Sequence, residues 1–584
     1  MVAQSFARIR EDGLETIHIL QEVDRWDVRH LEHDIIYWDI VVVTTLDNVQ
    51  KDAYDALIQQ RSTINRIPLG VDYLVITDPG KIGNGGSTMH AMHVLEQKYG
   101  WEVLRQKRIL LIHAGGYSQR TPTTSCLGKI ATSIPKGWPT YDLLDIKLAL
   151  YSLFPGRMPH GGVFLCSSDT IELFDESHAN TNWLLTDDFV AFAHPSSLTV
   201  GTQHGVFVLD PTDKKKCICV LQKPTIEQMK IHKAIWCHGE EEFVYTDSLF
   251  YFNMNVAQRL ADVYRQEHNI QCEIDCYGDF MSALGICPLP RPVTKENDDN
   301  QQRTRIKQKI YDILLDCHLQ VVILHKSSFN HTGTNDEYLD ICCGIGKTGQ
   351  EIFEELKLEK HVGCKVFDEG RHDTIDFWHG ILPALPHGDT LHHQPSAPDV
   401  YGCVIHSFIH PKCRSSKRSL FEYCCIGVPM QIGDNTILSN ITLVTYSDFN
   451  QTILHLPSNL IMQTIPLNNE LFATFAFGFH DNMKITHNNL DKILYFGQPV
   501  STLAGRIHRT IDDLFDDENN RSLWTLKIFP VTRDPNESFE KTLNLIISND
   551  FTMSEKQYVS IQEILKRRDI SSAIQYRSNL INCT

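Results

Sequence analysis

Three stretches of this sequence put glycines, cations and carboxylates at spacings suited to phosphate chemistry. The first is Ala114-Gly115-Gly116-Tyr117-Ser118-Gln119-Arg120, followed by Gly128-Lys129. It comes directly after Ile109-Leu110-Leu111-Ile112, an apolar run that reads as a buried strand. Glycines at the end of such a strand let the backbone approach a ligand closely, and successive free N–H groups form an anion-binding concavity. A parallel sheet binds ligands beyond the carboxyl ends of its strands. Gly115, Gly116 and Ser118 are therefore expected to line a nucleotide's phosphates, with Arg120 and Lys129 adding positive charge. The competing reading is a plain tight turn with two surface cations.

The second stretch, Lys81-Ile82-Gly83-Asn84-Gly85-Gly86-Ser87-Thr88, also follows a strand, Tyr73 to Ile76. It fails the dinucleotide fingerprint because Thr88 stands at the third glycine position. Gly83, Gly85, Gly86 and Ser87 still suit a phosphate or a base edge, the alternative being a helix cap with a flexible lead-in. Ser87 or Thr88 is expected to open the helix and Gly100 to close it. A similar pattern, Gly344-Ile345-Gly346-Lys347-Thr348, lacks the glycine a P-loop requires at 341, which is Ile.

Carboxylates form the third set. Asp169 follows the strand Val163 to Leu165, at a position where Mg²⁺ bridging nucleotide phosphates would be held; a simple cap is the alternative. In Glu273-Ile274-Asp275-Cys276-Tyr277-Gly278-Asp279, either Asp275 or Asp279 offers a second ligand, and Mg²⁺ needs only one or two carboxylates besides substrate oxygens and water. Lys223, after the strand Ile218 to Leu221 and fixed by Pro224, reads either as a positioned lysine or as a solvated charge. Of the 28 histidines, His90 and His93 share a helix face, but no H-E-x-x-H zinc motif occurs.

The elements that must position these groups alternate. Ile40-Val41-Val42-Val43 is a buried strand, and Asp47 can cap a helix carrying Val49, Ala53, Tyr54, Leu57 and Ile58. A helix from Thr140 and further strands extend a pattern of βαβ units and a mainly parallel sheet. Prolines 288, 290 and 292 and a polar stretch mark a boundary between Ile286 and Arg305. An amphipathic helix (Ile306, Ile310, Leu314) and a strand (Val321 to Leu324) follow. Further on, Leu420, Ile426, Ile432, Leu438 and Val444 stand six residues apart, which suits stacked coils of a parallel β-helix; antiparallel strands with coincidental spacing are the alternative. The expected organisation is 1–290, 306–470 and a mixed region 471–584.

With 584 residues, 42% hydrophobic and 22% charged, the chain can bury a large core. Its formal charge of 54 − 72 = −18 argues against a whole-surface nucleic-acid binder, so an anionic substrate needs a local group of cations. No apolar run approaches the roughly 18 residues that cross a bilayer. Met1 to Asp12 lacks the apolar region of a secretory signal. The 17 cysteines include no C-x-x-C pair and read as buried thiols in a reducing, cytoplasmic setting.

Several blocks together resemble the fucose-1-phosphate guanylyltransferase (GDP-L-fucose pyrophosphorylase) family. They are Ile82 to Thr88, Gly115 to Arg120 with Gly128-Lys129, His194 to Thr199, Gly205 to Asp210, Tyr245 to Tyr251, Tyr277 to Phe280, His331 to Thr334 and Ser522-Leu523-Trp524. The resemblance spans nearly the whole chain. Gly128 stands where the wider nucleotidyltransferase group has Pro, and Thr121 follows Arg120 where Leu or Met is common; the charged positions are kept. The fold it implies is a Rossmann-like, GT-A-type sheet followed by a left-handed β-helix. The implied reaction joins GTP and L-fucose 1-phosphate into GDP-L-fucose and pyrophosphate with a divalent cation. Arg120 and Lys129 would be catalytic, Asp169 with Asp275 or Asp279 would hold the metal, and Lys223, Gly205, Thr246 and Asp247 would bind the sugar phosphate. UTP or GTP with another hexose phosphate, or a non-catalytic relative of the same fold, are the alternatives, and the oligomeric state is left open.

Overall fold

The computed structural model describes residues 36–174, 183–267, 269–293, 301–324, 327–367, 376–380, 399–445, 453–548 and 558–584. The leader reading of Met1 to Asp12 lies outside them. The chain forms two compact units: Met1–Gly116 with Leu144–His331, and Tyr117–Leu143 with Thr332–Thr584. The fold is mixed α/β with parallel-strand sheets. Among the described residues no helix is long and apolar enough to cross a membrane.

The first unit is built on one sheet. Its parallel part joins β1 (Ile40–Thr45), β2 (Asp72–Thr77), β3 (Arg108–His113) and β4 (Gly162–Ser167) in the order β2-β1-β3-β4. β1 is buried at every residue, as a β-branched run between two layers must be. The order reverses between β1 and β3, so loops after these two strands flank the crevice where such sheets bind ligands. Further strands are β5 (Phe189–Ser196), β6 (Gly205–Leu209), β7 (Cys217–Gln222), β8 (Glu241–Asn253) and β9 (Leu319–Ile323). β8 runs antiparallel to β4, with Phe250 opposite Leu165, and also pairs with β5 and β6. Its Asp247 end thereby reaches the edge where β4 finishes. β9 pairs parallel with β5, which places the segment after the proline-rich stretch in this same sheet.

Helices follow the expected punctuation except at two starts. α1 (Asn48–Thr63) is capped by Asp47, whose carboxylate accepts from the Gln50 N–H at 2.8 Å. α2 (Gly83–Tyr99) ends at Gly100, but it begins at Gly83 and not at Ser87 or Thr88. The glycines expected in a loop form its first turn, because the Gly85 N–H donates to the Ile274 carbonyl at 2.8 Å and supplies the end with a partner. α2 packs with α3 (Met254–Glu267) and α4 (Gln301–Leu314) on the face presenting Ile40, Val42, Ile109 and Leu111. The rings of His90 and His93 rest on Tyr264 of α3, at 5.1 and 5.6 Å between centroids, a packing role. The helix expected from Thr140 starts at Leu143, after a two-residue strand.

In the second unit three parallel ladders stack. Cys403, Leu420, Ile437 and Ile461 are successive partners in one, Phe408, Cys425 and Thr442 in a second, and Arg414, Gln431 and His455 in a third. Partners are 17 residues apart until the last step, which spans residues outside the description. The six-residue spacing therefore slips by one against the 17-residue step of the ladders: Leu438 stands on Phe421, not on Leu420. Val404, Ile409, Phe421, Ile426, Leu438 and Leu443 fill the interior. An antiparallel hairpin, Leu460–Leu467 with Leu471–Gly478, follows. The helix Pro535–Ile547 contributes Phe539 and Leu543 to the same core. Of the glycines of 344–349, Gly344 ends one helix in the left-handed region, Gly346 begins the next, and Gly349 within it leaves no space for a Cβ beside the Asp340 carbonyl.

Candidate active site

The two glycine stretches of the first unit have different surroundings. A Cβ at Gly83 would lie 2.4 Å from the Ile274 carbonyl oxygen, one at Gly85 2.9 Å from Ile274 Cγ2, and one at Gly86 2.8 Å from Ile82 Cβ. The Asn84 side-chain oxygen accepts from the Cys276 N–H at 2.8 Å. This turn is thus joined to Ile274–Cys276 by its backbone. Ser87 donates to Asp78 at 2.6 Å, and burial pushes that carboxyl up to about 7 against the hydrogen bond. After β3, Gly116 has φ +115° and open space where a Cβ would be. Gln50 donates to the Gly116 carbonyl at 2.9 Å and accepts from the Leu46 N–H at 2.8 Å, while Tyr54 donates to the Ala114 carbonyl at 3.0 Å. Buried side chains hold this turn from behind and leave its front open.

At the same edge β6, β7 and β8 bring together Gly205, Gln222, Lys223, Thr246 and Asp247. The Gly205 N–H donates to Asp247 Oδ1 at 2.9 Å. A Cβ on residue 205 would lie 2.2 Å from Asp247 Oδ2 and 3.1 Å from Gln222 Oε1, so only glycine fits there. Those two oxygens are buried and have no donor among the described residues. A carboxylate buried with one oxygen unpaired is costly to ionise. Burial and the neighbouring Asp275 push Asp247 up to about 7, against the Gly205 hydrogen bond and Lys223. Lys223 adopts φ +47° and its N–H donates to the His204 carbonyl at 3.0 Å. Thr246 is buried and shares a hydrogen bond with Ser196 at 2.7 Å, so it organises the strand.

Asp169 follows β4 on a half-buried turn, where Ser167 donates to its carboxylate. The turn is anchored by charge the sequence reading did not single out. Lys147, 1% exposed, donates to Glu172 and Thr170, both at 2.8 Å, and Tyr151 also donates to Glu172. Burial would raise the Glu172 carboxyl; Lys147 and the hydrogen bonds from Lys147, Thr170 and Tyr151 hold it below the ordinary carboxylate range. Asp275 accepts from the Tyr277 N–H at 3.2 Å and from Gln222 at 3.3 Å. Asp279 accepts from the Asp275 N–H at 2.9 Å and pairs with Lys307 at 2.7 Å. Asp279 therefore serves its own loop, and of the two, Asp275 lies beside Gln222. Among the described residues no group of three or more His, Cys, Asp or Glu side chains is placed to hold a metal ion.

Ser118, Arg120 and Lys129 belong to the second unit, which the chain enters at Tyr117. From there it folds into consecutive tight turns. Thr121 N–H donates to Ser118 at 2.7 Å, Gly128 N–H to Thr124 at 2.8 Å, and the Ser125 hydroxyl to the Tyr117 carbonyl at 2.5 Å. Gly128 has φ +86°, which lets the chain turn into Lys129. Tyr117 rests on Trp524 at 6.0 Å between centroids, and Gln463 donates to the Thr123 carbonyl at 2.9 Å. Arg120 is exposed, and Ser118 takes φ +52° with its hydroxyl buried and without a partner among the described residues.

The fucose pyrophosphorylase domain matches residues 101–534. The chain is 34% identical over 588 aligned residues to the fucose-1-phosphate guanylyltransferase of Mus musculus, covering 93% of each. It is 33% identical to that of Homo sapiens, covering 93% of this chain and 90% of the relative. The L-fucokinase/L-fucose-1-P guanylyltransferase of Bacteroides fragilis is 22% identical over 71% of this chain and 38% of its own length. The chain is a nucleotidyltransferase belonging to the fucose-1-phosphate guanylyltransferase family.

Proposed function

We propose that the protein joins GTP to L-fucose 1-phosphate, forming GDP-L-fucose and releasing pyrophosphate. The observation that carries this reading is the pair of buried oxygens, Asp247 Oδ2 and Gln222 Oε1, that have no donor among the described residues and lie near Lys223. Acceptors next to a cation suit a ligand that presents hydroxyls and an anion together, as a sugar phosphate does. Guanine and fucose are taken from the names of the relatives.

The attacking group is a phosphate oxygen, ionised near neutrality because the second phosphate pKa is about 6, so no strong general base is needed. The obstacles are repulsion between two anions and charge growing on the leaving pyrophosphate. Arg120 would neutralise the triphosphate and Lys129 the α-phosphate in the transition state. Gly115 and Gly116 would offer N–H groups to the phosphates, and Lys223 would orient the sugar phosphate. Asp169, with Asp275 as a second carboxylate, would hold a Mg²⁺ ion, whose charge would help offset that of the phosphates; one or two carboxylates are an ordinary protein share for this ion. The 17-residue stacking of the second unit supports reading it as a short β-helix, with its left-handed sense taken from the family resemblance. Seventeen cysteines, most of them buried, support a reducing, cytoplasmic setting.

The test is a panel of nucleoside triphosphates against sugar 1-phosphates with Mg²⁺, scored by pyrophosphate formed. GTP with L-fucose 1-phosphate should give the highest kcat/KM. A larger value for UTP or another hexose phosphate would replace the substrate assignment, and no release with any pair would leave a non-catalytic relative.

A further inference from the structure

Two histidines that the proposed function leaves unused stack on each other at the start of β6, and one of them, His204, lies next to Lys223. The strand Ser327–His331 pairs antiparallel with Thr170–Phe174, and His331 is opposite Thr170, the residue after Asp169. His204 precedes Gly205 at the start of β6, and its carbonyl receives the Lys223 N–H. The two imidazoles stack at 5.5 Å between centroids and 21° between planes. Phe329 meets both edge-on, at 5.2 and 5.0 Å, and fixes the stack from one side. Both rings are half-buried, and among the described residues neither makes a hydrogen bond. Two stacked imidazoles with no partner for their nitrogens among the described residues, one of them next to Lys223, offer N–H donors that a phosphate oxygen held by that cation can accept.

We infer that His204 and His331 complete, with Lys223, the seat of the sugar 1-phosphate's phosphate group, each ring donating one N–H to a phosphate oxygen. This rests on the proposed function and adds two residues to it. The groups around the stack are Lys223, Asp247 beyond it, Asp169 on the turn paired with His331, and His194 behind Phe329. Burial, His331 and Lys223 together hold His204 down to about 4, so in the ligand-free protein its ring is neutral near pH 7 and carries one N–H. His194 spends both nitrogens on Ser248 and Ser327, each at 2.7 Å, and contributes none to the seat.

The experiment compares the full-length protein with His204→Ala, His331→Ala, His204→Gln and His331→Asn, measuring KM for L-fucose 1-phosphate and for GTP separately. Each alanine variant should raise KM for the sugar phosphate about tenfold or more, with KM for GTP within about twofold. The amide variants, which keep a neutral N–H, should recover part of the loss, and melting curves identify any variant that fails to fold. An unchanged KM for the sugar phosphate in folded variants would overturn the inference, as would an equal rise in KM for GTP, which would assign the rings to the nucleotide. Absence of sugar-phosphate-dependent turnover in the unaltered protein would instead refute the proposed function itself.

Discussion

A methyl group at Gly83 would stand 2.4 Å from a backbone oxygen, whereas one at Gly116 would meet nothing within 4 Å. Both glycines take positive φ, and both follow a parallel strand of the same sheet. The first turn is joined to Ile274–Cys276 and to Asp78, so its glycines are there because the protein's own backbone comes close. The second is held from behind by Gln50 and Tyr54 and opens forward. Equal glycine content therefore hides two uses: one turn positions an acidic segment, the other presents N–H groups.

The largest effect should come from the chemistry that follows the open turn. Lys129→Ala is expected to lower kcat by about 10²–10³, as for a cation acting mainly in the transition state, while the melting temperature stays near that of the unaltered protein. Single-turnover kinetics would check this, and retained turnover would remove Lys129 from the reaction. Gly83→Ala attacks the closed turn. It should cost about 3 kcal/mol of stability, from positive φ and a clash with backbone that cannot move aside. Denaturant unfolding showing less than about 1 kcal/mol would mean that the Ile274 contact is soft. Gly116→Ala, by contrast, should cost about 1–2 kcal/mol, since backbone strain at φ +115° is its whole penalty.

Asp247 permits a test with a defined sign. Its folded pKa, about 7, lies above the unfolded carboxylate value of about 3.9. The folded state therefore binds the extra proton, and stability falls as pH rises between those values and levels off above them. Asp247→Asn keeps an acceptor for the Gly205 N–H and removes the buried charge. It should be more stable than the unaltered protein by about 1–3 kcal/mol at pH 7.5, and by almost nothing at pH 4. Calorimetry at the two pH values would check this, and a variant destabilised at pH 7.5 would mean that Asp247 is paired in solution.

Much of the first unit was legible because its signals are local. A β-branched run marked β1 and an apolar run β3, Asp47 capped α1, and Gly100 ended α2, each by a preference of its own residue type. The start of α2 was misplaced because its first N–H partner, the Ile274 carbonyl, is almost 190 residues away in sequence. The six-residue spacing differs from the 17-residue step of the parallel ladders, which depends on turns that no local period records. Asp169 and Lys223 stand out in the sequence only by following strands. The Lys147–Glu172 pair, by contrast, reads in sequence as two ordinary surface charges. Gln222 and His204 carried only a weak signal, as neighbours of Lys223 and Gly205, and His331 opened a block resembling the family.

The most direct test of the sugar-phosphate seat is kcat/KM for L-fucose 1-phosphate in Lys223→Ala, with KM for GTP measured on the same preparation. A fall of about 100-fold with KM for GTP unchanged is expected. An unchanged kcat/KM in a folded variant would contradict a seat built around this lysine.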